Sequence, residues 1–167
     1  KELVSQNQQK YQSYGLDGGI YAAGLGLKQT SQQVIFASVQ SVARNLADFS
    51  AQFSLLIIDE CHRVPLAEDS SYRSVISHLQ QQNPGLKVLG LTATPYRLGQ
   101  GFIYQFHYQG AVRGDADCFF RWCIFELSIR VLLQRQYLTL PNRLDCAVLS
   151  YDFSGLKPAN NGHFREA

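Results

Sequence analysis

Apolar and polar positions alternate in short blocks along this chain, and the sharpest block is Leu55 to Ile58, four apolar residues that run directly into Asp59 and Glu60. An uninterrupted apolar run of this length predicts a strand buried on both faces, as in a parallel sheet covered by helices on each side. A second block, Lys87 to Leu91, repeats the design and delivers Thr92 and Thr94 to a strand end, with Pro95 stopping further pairing. Between them Tyr72, Val75, Ile76 and Leu79 share one helical face, and Asn83-Pro84-Gly85 ends that helix. The order strand, helix, strand predicts a βαβ unit that brings both strand ends to one edge of the sheet.

The flanking pattern is less sharp. Leu3, Val4 and Tyr11 fall at helical spacing in residues 1–14, with Gly15 as a stop, and Ile20 to Leu25 reads as a strand weakened by glycines. Val34 to Val39 predicts a strand, after which Ser41 is placed to cap a short helix running through Arg44 to Ala47. The aromatics Phe102, Tyr104, Phe106 and Tyr108 alternate with other residues as in a strand or ribbon; stacking on nucleobases and packing into a core are both open to that pattern. Cys118 to Gln136 predicts a buried helix, Leu144 to Phe153 a strand, and residues 158–167 a linker or frayed end.

Composition narrows the classes without choosing among them. With 167 residues, 46% of them hydrophobic and 17% charged, the chain supports one globular domain over residues 1–157. A net charge of +2 does not advertise nucleic-acid binding, which must then come from local placement. No run approaches membrane-spanning length and no signal segment opens the chain, so the expected location is cytoplasmic. Cys61, Cys118, Cys123 and Cys146 form no C-x-x-C pair; a zinc site from Cys61, His62, Cys118 and Cys123 matches no common module, and reduced thiols are expected.

The chemistry is expected where the strands end, because loops there reach a ligand without disturbing the core. An Asp at the tip of an apolar strand suits Mg²⁺ held through its water shell, and a neighbouring Glu suits activation of an attacking water. Gly19 and Gly24 have the spacing of a phosphate loop, yet Leu25 and Gly26 stand where Lys and Ser or Thr are required, so Gly24 and Gly26 read as turn residues.

D-E-C-H at Asp59–His62 followed by L-T-A-T-P at Leu91–Pro95 resembles the second and third motifs of the DExH branch of superfamily 2 helicases and translocases. Lys1 to Asn7 resembles the helix after motif Ia, and Ile35 to Ser41 resembles motif Ib. Gly90 to Gly110 and Phe125 to Pro141 are similar to the RadD family of bacterial DNA-repair helicase-like proteins. The resemblance implies a three-layer α/β RecA-like lobe with a mostly parallel sheet, truncated at its amino end, with the phosphate loop and the second RecA-like lobe outside these residues. It implies ATP and Mg²⁺ as cofactors of the intact protein, with Asp59, Glu60 and His62 catalytic and Thr92 and Thr94 coupling nucleotide state to the other lobe. It further implies DNA, with RNA not separated from it, as the partner contacted by Gln40, Ser41 and Arg44. Loss of a first strand would leave the edge at Lys87 to Leu91 open to self-association, and the isolated chain is expected to be inactive toward ATP. Two other classes stay open on the residues alone: a nonhydrolytic binding module of RecA-like shape, and a metal-dependent hydrolase using Asp59, Glu60 and His62. Adjacent acids on a strand point to opposite sides, which sets the second below the first.

Overall fold

The computed structural model describes residues 2–65 and 70–139, and the chain divides into two compact units, Lys1–Ala93 and Thr94–Ala167. In the first unit, α1 (Glu2–Gln12) turns Val4, Gln8 and Tyr11 inward at steps of four and three, while Leu3 stays exposed. Gln8 anchors it by donating from Nε2 to the Gly18 carbonyl at 3.0 Å. Three strands follow, β1 (Gly19–Ala22), β2 (Leu27–Lys28) and β3 (Ile35–Ala37), with β1 central, antiparallel to β2 and parallel to β3. At Gly19 a Cβ would lie 2.5 Å from the Gln32 side-chain oxygen, the far end of a side chain free to shift. Gly26 supplies the turn into β2 at φ 68°, a left-handed conformation open to glycine.

The helix α2 (Val39–Ala43) and a 3-10 turn at Leu46–Asp48 then lead to β4 (Leu55–Ile58). Next comes α3 (Ser71–Gln82), followed by β5 (Lys87–Gly90), which pairs parallel with β4 from Leu55↔Lys87 to Ile58↔Gly90. This is the predicted βαβ unit, and its helix is fixed at both ends. Ser70 caps the start by accepting the Arg73 N–H at 3.2 Å, an interaction of about 1 kcal/mol. Asn83 closes the end, donating to the Phe53 carbonyl and accepting the Gly85 N–H, each at 2.9 Å.

Tyr21, Val42, Phe49, Val75, Leu79 and Leu86 form the core of this unit, with Leu56 and Val88 packed against it. Tyr21 is fully buried, lies edge-on to Phe49 at 4.7 Å, and donates its hydroxyl to the Asp48 carboxylate. Burial, reinforced by Asp48, pushes its pKa up to about 12.

Two expectations are corrected here. The parallel pairs β1/β3 and β4/β5 belong to separate small sheets, so the described residues do not form one continuous parallel sheet in three layers. Nor is β4 buried on both faces: Leu56 and Ile58 face the core, but Leu55 and Ile57 are 49% and 54% exposed. Among the described residues β4 has one strand neighbour, and its second face is left half exposed despite an apolar composition that suits burial.

The second unit begins with a small hairpin, β6 (Tyr96–Arg97) against β7 (Gly101–Phe102). β8 (Tyr104–His107) then pairs parallel with β9 (Phe120–Cys123), and α4 (Ile129–Gln134) follows behind a Ser128 cap. The alternating aromatics do make strands. The buried helix over Cys118 to Gln136 is replaced by β9 and the short α4, in which no residue is buried. Phe119, Phe120 and Trp122 explain the change, since flat side chains favour a pleated surface and lose rotamer freedom in a helix. The expected strand at Leu144 to Phe153 and the linker at 158–167 lie outside the described residues.

Candidate active site at two strand tips

The ladder between β4 and β5 continues past both strands. Leu91 donates its N–H to the Ile58 carbonyl and Cys61 donates its N–H to the Leu91 carbonyl, both at 2.9 Å. These bonds hold the D-E-C-H turn against the start of L-T-A-T-P. Asp59 is exposed, and its Oδ1 accepts the N–H of Glu60 at 2.9 Å. Glu60 stands at φ 50°, ψ 45°, a left-handed conformation that disfavours a side chain by roughly 1–2 kcal/mol. The chain then enters a 3-10 turn at Cys61–Arg63, with Cys61 buried below it.

That turn sets His62 between the two motifs. Its Nδ1 lies 3.0 Å from Thr92 Oγ1 and 3.2 Å from Glu60 Oε2, with the imidazole mostly covered and the Glu60 side chain half exposed. One ring nitrogen thus joins a carboxylate on the first strand end to a hydroxyl on the second. Asp59, Glu60, His62 and Thr92 are gathered at one edge, whereas Thr94 falls in the irregular start of the second unit. The arrangement can hold a hydrated cation at Asp59 and orient a water at Glu60, and the His62 contacts tie one strand tip to the other.

Gln40, Ser41 and Arg44 lie on and just after α2. Gln40 and Arg44 are exposed; Ser41 is 6% exposed. The expected cap is corrected: Ser38 occupies the N-cap position, because β3 ends at Ala37 and the helix starts at Val39. Ser41 sits inside the helix, accepting the Ala23 N–H at 2.9 Å and the Ser38 hydroxyl at 2.7 Å, so its oxygen fastens α2 to the end of β1.

A polar network in the second unit has no counterpart in the sequence reading. His107, 2% exposed, accepts the Gln109 N–H on Nδ1 at 3.3 Å and faces Glu126 Oε2 through Nε2 at 2.8 Å. Arg113 donates to the same oxygen at 3.0 Å and to the Tyr104 hydroxyl at 2.9 Å. Burial raises the Tyr104 pKa against the pull of Arg113. Donor atoms of His107, Cys123 and Glu126 come within 4.8 Å of one another. Their bonding does not suit an ion: an Nδ1 that accepts an N–H leaves the proton on Nε2, and the Arg113 cation already neutralises the carboxylate. Cys61, Cys118 and Cys123 are free thiols, and burial pushes that of Cys118 up. The only sequence signal for this network was the alternation that predicts β8; the pairing His107↔Cys123, which brings Glu126 near, depends on a strand the pattern assigns to helix.

Adjacent parallel strands end in acids on one and a hydroxyl on the next, at the edge where open α/β sheets receive a ligand, and comparison with known proteins places the chain in the superfamily 2 helicase-like class. The family model described as type III restriction enzyme, res subunit, matches residues 1–97, more than half of the chain, and the chain belongs to that family. The matched region nearly coincides with the first compact unit. Among individual proteins the chain is similar to the RNA polymerase-associated protein RapA of Serratia proteamaculans, 41% identical over 78 residues, which covers 42% of this chain and 8% of RapA. RapA of Erwinia tasmaniensis is 40% identical over 77 residues, covering 41% of the chain and 8% of that protein. The chain thus matches a small part of these relatives.

Proposed function

We propose that this chain supplies part of the first RecA-like lobe of an ATP-dependent DNA translocase or helicase of RadD type, working in DNA repair in the cytoplasm. The observation that carries the reading is the Glu60–His62–Thr92 bridge across two parallel strand tips. A pair of solvated acids needs no such link, whereas a motor must connect nucleotide state to movement. The one-lobe extent, residues 1–157, belongs to the same proposal, with the family match over 1–97 supporting its first part.

The residues present fit part of a Mg-ATP site. Asp59 offers an exposed hard oxygen at a fixed tip, suited to the water shell of Mg²⁺. When bound, ATP would supply the phosphoryl group and Mg²⁺ would neutralise its charge. Glu60 orients and deprotonates the attacking water, and His62 and Thr92 sense where Glu60 stands, with Thr94 carrying the signal toward a second lobe. Backbone N–H groups and the Lys that cradle phosphates in such motors have no equivalent in these residues. The 167-residue chain by itself therefore neither binds ATP tightly nor hydrolyses it, and Mg-ATP calorimetry should detect no micromolar binding. DNA is held along its backbone near the exposed Gln40 and Arg44, on a helix that Ser41 anchors. Among the described residues β5 has β4 as its strand neighbour, and its second edge would accept a further strand, including one from a second copy.

The direct test is DNA-stimulated ATP turnover by a full-length protein carrying this lobe. Glu60→Gln should lower it by roughly 10²- to 10⁴-fold with nucleotide binding retained. Unchanged turnover overturns the assignment.

A further inference from the structure

Lys28 ends β2 directly opposite Tyr21 of β1, so the two side chains lie on the same face of that sheet. Tyr21 is buried there, and the exposed Lys28 ammonium stands over its ring, 5.9 Å from the centroid. The ammonium is also held from α2. It donates to Asn45 Oδ1 at 3.2 Å, while Asn45 Nδ2 donates to the Ser41 carbonyl at 2.9 Å. These partners fix which way the amide faces, since an ammonium only donates and a carbonyl only accepts. Asn45 precedes the 3-10 turn at Leu46–Asp48, where an Asn side chain ordinarily caps the N–H groups that follow, and here it makes no capping bond. Both ends of its amide serve to tie Lys28 to the helix.

The neutrality of that partner matters. An Asp in its place would hold the ammonium and cancel its charge, whereas an amide holds it and leaves the charge whole. Among the described residues no carboxylate forms an ion pair with Lys28 or Arg44, and Asp48, the acid nearest to Arg44 in sequence, accepts the Tyr21 hydroxyl. Ser41 and Asn45 are four residues apart, as are Gln40 and Arg44, so the row that holds Lys28 runs beside the row of the exposed Gln40 and Arg44. A fixed, uncancelled cation flanking these groups has the chemistry that meets phosphate, positioning a strand without reading its bases. We propose that Lys28, held by Asn45, is a backbone phosphate contact for DNA that extends the α2 contacts onto β2. The proposal rests on the reading of the chain as part of a DNA motor and adds two residues to which that reading gives no role.

The test is a salt series of binding between the full-length protein carrying this lobe and labelled DNA oligonucleotides of two unrelated sequences. Lys28→Gln keeps a donor for Asn45 and removes the charge. It should weaken binding to both sequences by roughly 3- to 10-fold and flatten the dependence of log K on log salt by about one ion, and Lys28→Arg should restore both. Asn45→Asp, checked for folding by thermal melting, sets a carboxylate against the ammonium and should match Lys28→Gln. A lowered melting temperature of Lys28→Gln with the salt slope unchanged would show that Lys28 only fastens β2 to α2, and overturns the proposal. A raised KM for ATP with DNA binding intact also overturns it, by assigning the charge to the nucleotide. Arg44→Ala separates the two readings. If it flattens the slope and Lys28→Gln does not, the contact at Lys28 falls and the DNA motor stands; if neither does, the proposal falls and DNA stimulation of ATP turnover decides the motor reading separately.

Discussion

Two histidine–glutamate pairs occupy the two units, and they are built to opposite standards. His62 meets Glu60 at 3.2 Å beside a half-exposed carboxylate, on a turn whose Glu60 backbone is left-handed, and it shares its nitrogen with Thr92. His107 meets Glu126 at 2.8 Å from a buried position, with its second nitrogen occupied by the Gln109 N–H and its carboxylate shared with Arg113. The first pair sits on a strained turn with a partly covered histidine; in the second the histidine is buried and both of its nitrogens are occupied, while the two carboxylates are similarly exposed, 50% and 42%. A His–Glu contact is therefore not a site in itself. Backbone strain at Glu60 marks the pair that can change partners, and full satisfaction of a buried histidine marks the one that holds structure.

Matched substitutions should separate the two. Glu60→Ala in the full-length protein should abolish most ATP turnover, by roughly 10²-fold or more, and leave thermal stability within about 0.5 kcal/mol. Glu126→Ala should do the reverse. It leaves the buried Nε2–H of His107 without its acceptor, at a cost of about 1–3 kcal/mol in denaturant unfolding, with turnover per folded molecule unchanged. Equal effects of both variants on both readouts would erase the distinction drawn here.

A smaller effect sharpens the strain argument. Glycine carries no penalty at φ 50°, so Glu60→Gly should raise stability by about 1 kcal/mol while remaining inactive. An unchanged or lowered unfolding midpoint would show that the left-handed turn stores nothing. At high pH the first unit should loosen for a different reason. The Tyr21 pKa is raised to about 12, so the stabilisation from its protonated hydroxyl is complete below the unfolded value near 10 and is lost as pH rises through 12. Tyr21→Phe should lack this alkaline step in a pH-resolved melting series.

What was legible in the sequence follows from the range of the forces involved. The strand Leu55–Ile58, the helix behind Ser70 and the strand Lys87–Gly90 were readable because each depends on its own periodicity and punctuation. Asp59, Glu60, His62 and Thr92 came with them, since a parallel βαβ unit necessarily brings its two strand ends together. Three features were not readable. Which of Ser38 and Ser41 caps α2 turns on where β3 stops, a matter of one residue of pairing. The exposed face of β4 depends on neighbours that the strand's own composition does not specify. The segment at Phe120–Cys123 is apolar enough for either helix or strand, and only its register with β8 decides, carrying the His107–Glu126 network with it.

The claim most in need of a direct test is that the two strand tips work as one unit through His62. A double-mutant cycle with His62→Ala and Thr92→Val, read as DNA-stimulated ATP turnover in the full-length protein, measures that coupling. Each single change should lower turnover by roughly 10-fold, equivalent to about 1.4 kcal/mol, and the double variant should be no slower than the worse single, because the same link is already broken. Losses that multiply to roughly 100-fold would show two independent contacts and contradict the account.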